Sequence, residues 1–150
     1  MKKILLTILA AGALAFQVPA AESLSWSTDL PKAQAQAKKE NKLVLMDFTG
    51  SDWCGWCIKL NKEVFATKEF TEYAKKNLVL VELDFPSKKQ QSEALKKANN
   101  ELKDKYKIDG YPTIIVLDGS GKQLWTQVGY MEGGPKAWIA ELDKTRAKTK

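Results

Sequence analysis

The chain has 150 residues, 44% hydrophobic and 28% charged, with 24 Lys and Arg against 18 Asp and Glu, no histidine and two cysteines. Such a length and composition favour one domain with a sizeable core, and they exclude a disordered chain, a collagen-like repeat and a multi-disulfide scaffold. The net charge of +6 comes from basic residues dispersed among acidic ones, which describes a solvated surface and no nucleic-acid footprint.

Lys2 and Lys3 precede an apolar run from Ile4 to Phe16, and Val18-Pro19-Ala20 then offers small residues where a signal peptidase reads them. Residues 1–21 are therefore expected as a cleaved signal peptide, residues 22–150 as one mature domain, and the location as periplasmic or secreted. A membrane anchor is the alternative, but the run falls short of the roughly 20 apolar residues of a spanning helix. No later segment meets that length, so no stable membrane insertion is expected after cleavage.

After Trp26, Ser27-Thr28-Asp29 reads as an N-cap region, and Pro31 sits in the first turn of a helix that runs to about Asn41. Leu43 to Phe48 is apolar on both parities, the pattern of a buried central strand, with Asp47 as its one charge. Thr49 to Asp52 break that strand. A second helix is expected to start at Cys54 and Cys57 and to run through Ile58, Leu60 and Val64. Ala66-Thr67 marks a break and a fresh cap for a short helix ending near Asn77. Leu78 to Phe85 is a second strand, stopped by Pro86. A helix from about Lys89 to Lys105 follows, with Leu95, Ala98, Leu102 and Tyr106 on one stripe. Thr113 to Leu117 is a third strand, Asp118-Gly119-Ser120-Gly121 a hairpin turn, and Gln123 to Val128 its partner strand. Gly129 ends that strand, and Gly134-Pro135 opens a last helix carrying Trp138, Ile139 and Leu142. The order αβααβαββα predicts an α/β fold, a mixed central sheet with helices on both faces.

Cys54 and Cys57 allow one internal bridge. As a structural staple it would be weak: loop entropy yields roughly 2 kcal/mol for so short a loop, against about 3 for fifteen residues. Redox chemistry explains the spacing better. Thiol–disulfide exchange needs one thiolate to attack and a second thiol to release the mixed disulfide. Cys54 stands where a loop enters a helix, so the helix dipole and free N–H groups favour its thiolate. Cys54 is the expected nucleophile and Cys57, one turn inside, the resolving thiol. Lowering a thiol pKa from about 8.5 to 7 takes about 2 kcal/mol, which a helix terminus can supply. A moderately acidic Cys54 and a reducing to intermediate poise are therefore expected.

The chain resembles the thioredoxin superfamily, and within it secreted or periplasmic bacterial disulfide reductases. The resemblance rests on Asp47-Phe48, Trp53-Cys54-Gly55-Trp56-Cys57, Tyr106-Lys107-Ile108-Asp109-Gly110-Tyr111-Pro112-Thr113 and Gly129, and it spans the chain from about Trp26 onward. It implies a thioredoxin-like fold and an enzymatic thiol–disulfide oxidoreductase, more reductase or isomerase than strong oxidase. Strong oxidants of this superfamily typically place a His between the cysteines, and this chain has none. The resemblance also implies a cis Pro112 against the dithiol, turning the Tyr111 backbone toward the sulfurs to meet a substrate strand; a trans proline opening an edge strand is the alternative. It further implies that Asp47 is buried beneath Cys57 and moves its proton, against an Asp turned to solvent at a strand end. Glu82, where thioredoxins often carry Lys, reads as a second proton carrier or, with at least equal weight, as a solvated strand residue. Trp53, Gly55 and Trp56 are expected to meet substrate together with Tyr111, with Trp53 also packed partly into its loop. Trp56 departs from the proline usual in thioredoxin.

The expected partners are protein thiols and disulfides, with a membrane electron donor for a reductase working outside the cytosol. No cofactor or metal is expected beyond the redox-active Cys54–Cys57 disulfide. Two rival functions remain open. A Cu(I) metallochaperone would hold the ion on both thiolates, with help from Met46 or Met131. A redox-inert interaction module of the same fold is the other.

Overall fold

The computed structural model describes residues 23–149, so the expected signal peptide lies outside the described residues. Five strands form one sheet in the order β1-β3-β2-β4-β5: β1 is Trp26–Ser27, β2 Leu43–Thr49, β3 Leu78–Asp84, β4 Thr113–Leu117 and β5 Gln123–Val128. β1, β3 and β2 run parallel, β4 is antiparallel to β2, and β5 is antiparallel to β4. The mixed sheet with helices on both faces is as expected, with one addition: β1, two residues long, pairs Trp26 with Leu80.

Alternation along β2 divides the core. Leu43 and Leu45 face one layer, and Val44, Met46 and Phe48 face the other. Because both faces are covered, all seven residues of β2 are buried, which is why the strand reads as an apolar run without alternation. The first layer is built on α3 (Lys68–Asn77), α5 (Gly134–Ala147) and the helical segment after the cysteines, through Leu60, Phe65, Phe70, Trp138 and Leu142. The second is built on α1 (Leu30–Glu40) and α4 (Glu93–Tyr106), through Leu30, Ala33, Ala37 and half-buried Leu102 and Tyr106. Among the described residues no helix is long and apolar enough to cross a membrane.

Two helical expectations need correction. The helix after the cysteines is α only over Gly55–Leu60 (α2); Asn61–Phe65 continues it as a π-helical turn. The wider π spacing, of a kind found often at functional sites, presents Val64 and Phe65 to the first core layer. The helix expected from Lys89 begins at Glu93, capped by the Ser92 hydroxyl, which accepts the Leu95 N–H at 3.2 Å. Residues 87–89 cannot join it because their N–H groups are drawn to the carboxylate of Asp52, at 2.7–2.9 Å. The α4 stripe is also shifted. Ala98 is exposed, and Asn99 is buried instead, donating to the Asp84 carbonyl at 3.0 Å.

Candidate active site

The dithiol sits at the carboxyl end of β2, where Gly50 to Trp53 turn the chain into α2. Cys54 occupies the N-cap of α2 in extended conformation, and its sulfur accepts the Cys57 N–H at 3.2 Å. The sulfurs are joined, with Cα atoms 5.3 Å apart. Cys54 is 6% and Cys57 4% exposed, so both are well shielded in the oxidised state. Opening the bond leaves the Cys54 sulfur beside an N–H group at the positive end of the helix, an arrangement that favours its thiolate.

Asp47 lies on the β2 face shared with Leu45, beneath α2. It is 7% exposed, and its Oδ1 has no hydrogen-bond partner among the described residues. Burial pushes its carboxyl up to about 8, and the charges of Glu82 and Asp84 add to the rise. A cavity of about 330 Å³ opens over it, lined also by Cys57, Ser51, Glu82, Lys62 and Lys89. Burial thus makes the Asp47 carboxylate a stronger base than an exposed one, suited to taking a proton from the thiol beside it. Glu82 is half-buried, and burial first, then Asp84, raises its pKa while Lys89 opposes the rise. It is not the freely solvated strand residue of the blander expectation.

The Tyr111–Pro112 peptide is cis. Thr113 pairs with Phe48 at the end of β2, so this peptide stands at the same edge of the sheet as the dithiol loop. The Pro112 carbonyl accepts the Gly129 N–H at 2.8 Å, which binds the turn to the end of β5; Gly129 holds φ of 75°, a conformation that suits glycine. The Tyr111 ring meets Trp53 edge-on, centroids 5.8 Å apart, and packs on Phe85 at 5.3 Å.

The two tryptophans are both exposed, 51% for Trp53 and 58% for Trp56. Trp53 nevertheless donates its indole N–H to the Phe85 carbonyl at 2.7 Å and covers Gly50, where a Cβ would come within 2.5 Å of its ring. Trp56 tilts against Tyr130 at 5.8 Å, and the Lys59 ammonium sits over both rings. Gly55 is exposed at the start of α2 with open space around its Cα. Met46 faces the second core layer and half-buried Met131 packs on the first, so the sheet separates the two methionines considered for copper. Among the described residues no group of three or more His, Cys, Asp or Glu is placed to hold a metal.

Several contributors were absent from the expected site. Asp52 receives three backbone N–H groups and holds residues 87–89 against the dithiol loop, which keeps its carboxyl below the usual range. Its place directly before Trp53 was the available signal. Phe85, Tyr130 and Lys59 arrive from separate elements, and no local pattern announces them.

Residues 30–146 match the family model described as a thioredoxin-like domain. The chain is 38% identical to the disulfide bond reductase DsbH of Chlamydia pneumoniae over 123 residues, covering 82% of this chain and 73% of that one. Among solved structures it is similar to the DsbH oxidoreductase, with TM-score 0.78 and 35% identity over 92% of this chain and 95% of the other. The oxidised C-terminal domain of Neisseria meningitidis DsbD shares the fold, at TM-score 0.59 and 18% identity over 81% of this chain and 99% of that domain.

Proposed function

We propose a working cycle from one premise: the chain belongs to the thioredoxin-like family and is a thiol–disulfide oxidoreductase with a Cys54-Gly55-Trp56-Cys57 centre. In this cycle it reduces protein disulfides, or reshuffles them, outside the cytosol. The Cys54 thiolate attacks one sulfur of a substrate disulfide, forming a mixed disulfide and releasing the first substrate thiolate, which takes a proton from solvent. Cys57 then gives its thiol proton to the Asp47 carboxylate. Its thiolate attacks the Cys54 sulfur and expels the second substrate thiolate. Two electrons have passed to the substrate, and the Cys54–Cys57 disulfide remains.

The observation that carries this reading is the asymmetry of the pair. The Cys54 sulfur caps a helix, whereas Cys57 faces the cavity over a buried carboxyl without a partner. The cis Tyr111–Pro112 peptide offers the Tyr111 backbone to an extended substrate segment; Trp53 stands edge-on to the Tyr111 ring, and Gly55 and Trp56 are exposed at the start of α2 for the same substrate. The reducing direction is supported by the absence of any histidine and by the name of the DsbH relative as a disulfide bond reductase. Export is supported by the leader-like residues 1–21. Return to the dithiol form then calls on a dithiol donor at the membrane.

The deciding experiment is the reduction potential of the 54–57 pair against glutathione, with capture of substrates by Cys57→Ser. A potential well below that of the surroundings and trapped mixed disulfides on Cys54 are expected, since each 30 mV corresponds to about 1.4 kcal/mol. A strongly oxidising potential overturns the reductase reading. Stoichiometric Cu(I) retention without exchange replaces the whole reading by the metallochaperone.

A further inference from the structure

Asp47 has little direct access to water and reaches it through the cavity it shares with Glu82. It is almost fully buried, with Ile114 beside it on β4. On its other side stands Glu82. β2 and β3 are parallel and in register, Asp47 opposite Glu82, so the two backbones lie about 4.8 Å apart. Both side chains share the sheet face of Leu45 and Leu80, so both point under α2.

Glu82 borders two cavities. One is the space of about 330 Å³ that it shares with Asp47 and Cys57; the other, about 250 Å³, opens beside Thr28, Asp84 and Asn99. Lys89 borders both as well. The charged groups around Glu82 are therefore Asp47, Asp84, Lys62 and Lys89. The two ammonium groups are donors with no lone pair and cannot accept a proton. The Asp84 oxygens already accept the Ser51 N–H and hydroxyl. Among the described charged residues around it, Glu82 is the one left to take a proton from Asp47, and the cavity that both line is polar and large enough for a bridging water.

We propose that Glu82 is the outer half of a two-carboxyl relay, accepting the proton that Asp47 removes from Cys57 and passing it to solvent. This rests on the oxidoreductase reading and adds a residue to it. The Cys57 thiol protonates Asp47, Asp47 protonates Glu82, and Glu82 protonates water; the reverse sequence serves the reverse reaction. No electrons move in these steps. Burial is the first cause that raises both carboxyls, and the Glu82 charge adds to the rise at Asp47. Glu82 acts through Asp47 and is a relay residue, not a catalytic one.

The test is a stopped-flow measurement of mixed-disulfide resolution across pH 5–10, read by tryptophan fluorescence, in wild type, Glu82→Gln and Glu82→Lys. Wild type is expected to accelerate as pH rises through the Asp47 titration. Glu82→Gln is expected to resolve about tenfold more slowly, less than the roughly hundredfold or more that losing the group that takes the proton directly costs. Its midpoint moves to lower pH because a neighbouring negative charge is gone, and Glu82→Lys moves it further. Added formate or imidazole speeds Glu82→Gln in proportion to concentration and leaves wild type unchanged, a rescue that a purely structural role cannot produce. Alkylation of reduced Cys54 by iodoacetamide reports folding of each variant independently. Wild-type exchange with a Glu82→Gln rate and midpoint matching wild type, or with no rescue by small acids, overturns the relay alone. Absence of exchange by wild type overturns the oxidoreductase reading and the relay with it.

Discussion

The two sulfurs are joined and equally shielded, yet their surroundings have little in common. Around Cys54 stand a helix N-terminus and a rim of rings: Trp53 on Tyr111, Tyr111 on Phe85, Trp56 on Tyr130. Around Cys57 stand a cavity and carboxyls held in low dielectric. The first setting suits a thiolate that must meet a macromolecule. The second suits a thiol that must lose its proton only when a partner is already bound. The lesson is that a pair three residues apart can be given different acidities by placing one at the helix mouth and the other over a buried acid.

The sharpest way to break that contrast is to delete each sulfur in turn. Cys54→Ser is expected to abolish exchange with protein disulfides. Cys57→Ser retains attack and accumulates a mixed disulfide, resolved by mass spectrometry under non-reducing conditions. Equal loss without any trapped species in Cys57→Ser contradicts the division of labour.

Next comes Asp47→Asn, expected to slow resolution about a hundredfold near neutral pH while leaving Cys54 alkylation close to wild type. The same substitution has a signature in stability. The native carboxyl titrates near 8 and the unfolded one near 3.8, so protons bind the native state more tightly. Stability of the oxidised wild type must therefore fall as pH rises from about 4 to about 8 and stay low above that. Urea midpoints of Asp47→Asn should lack this slope and exceed those of wild type above pH 8.

The tryptophans sharpen the comparison within the Cys54 rim. Trp53→Ala removes a hydrogen bond and a ring contact that tie the loop to Phe85 and Tyr111, and it is expected to cost about 1–2 kcal/mol of stability and raise KM for a protein disulfide. Trp56→Ala removes surface contacts with Tyr130 and Lys59 and is expected to raise KM with stability changed by less than about 0.5 kcal/mol. Comparable destabilisation of both variants in urea titrations removes the distinction. The smallest effect is expected from Asp52→Ala, a slight fall in the urea midpoint with freer hydrogen exchange at residues 87–89, whose N–H groups it releases.

Much of this was legible in the linear chain because its causes are local. Thr67 caps α3 through its hydroxyl, Asp29 caps α1 and Asp118 closes the last hairpin, each within four residues of its partner. Two errors show where locality ends. The helix expected from about Lys89 starts at Glu93 because Asp52, some 35 positions earlier, claims the backbone N–H groups of residues 87–89. β1 is too short to carry a period of its own and exists because β3 offers an edge.

By itself, then, the sequence determined the dithiol, its helix, the buried central strands and the order of elements, since hydrophobic periodicity, caps and turns act over a few residues. Only the tertiary structure decided that Asp47 stands level with Glu82 over one cavity, that Tyr130 comes to Trp56 and that residues 87–89 strap the dithiol loop. Those relations arise from strand register and helix packing, through-space quantities that no short window of residues encodes.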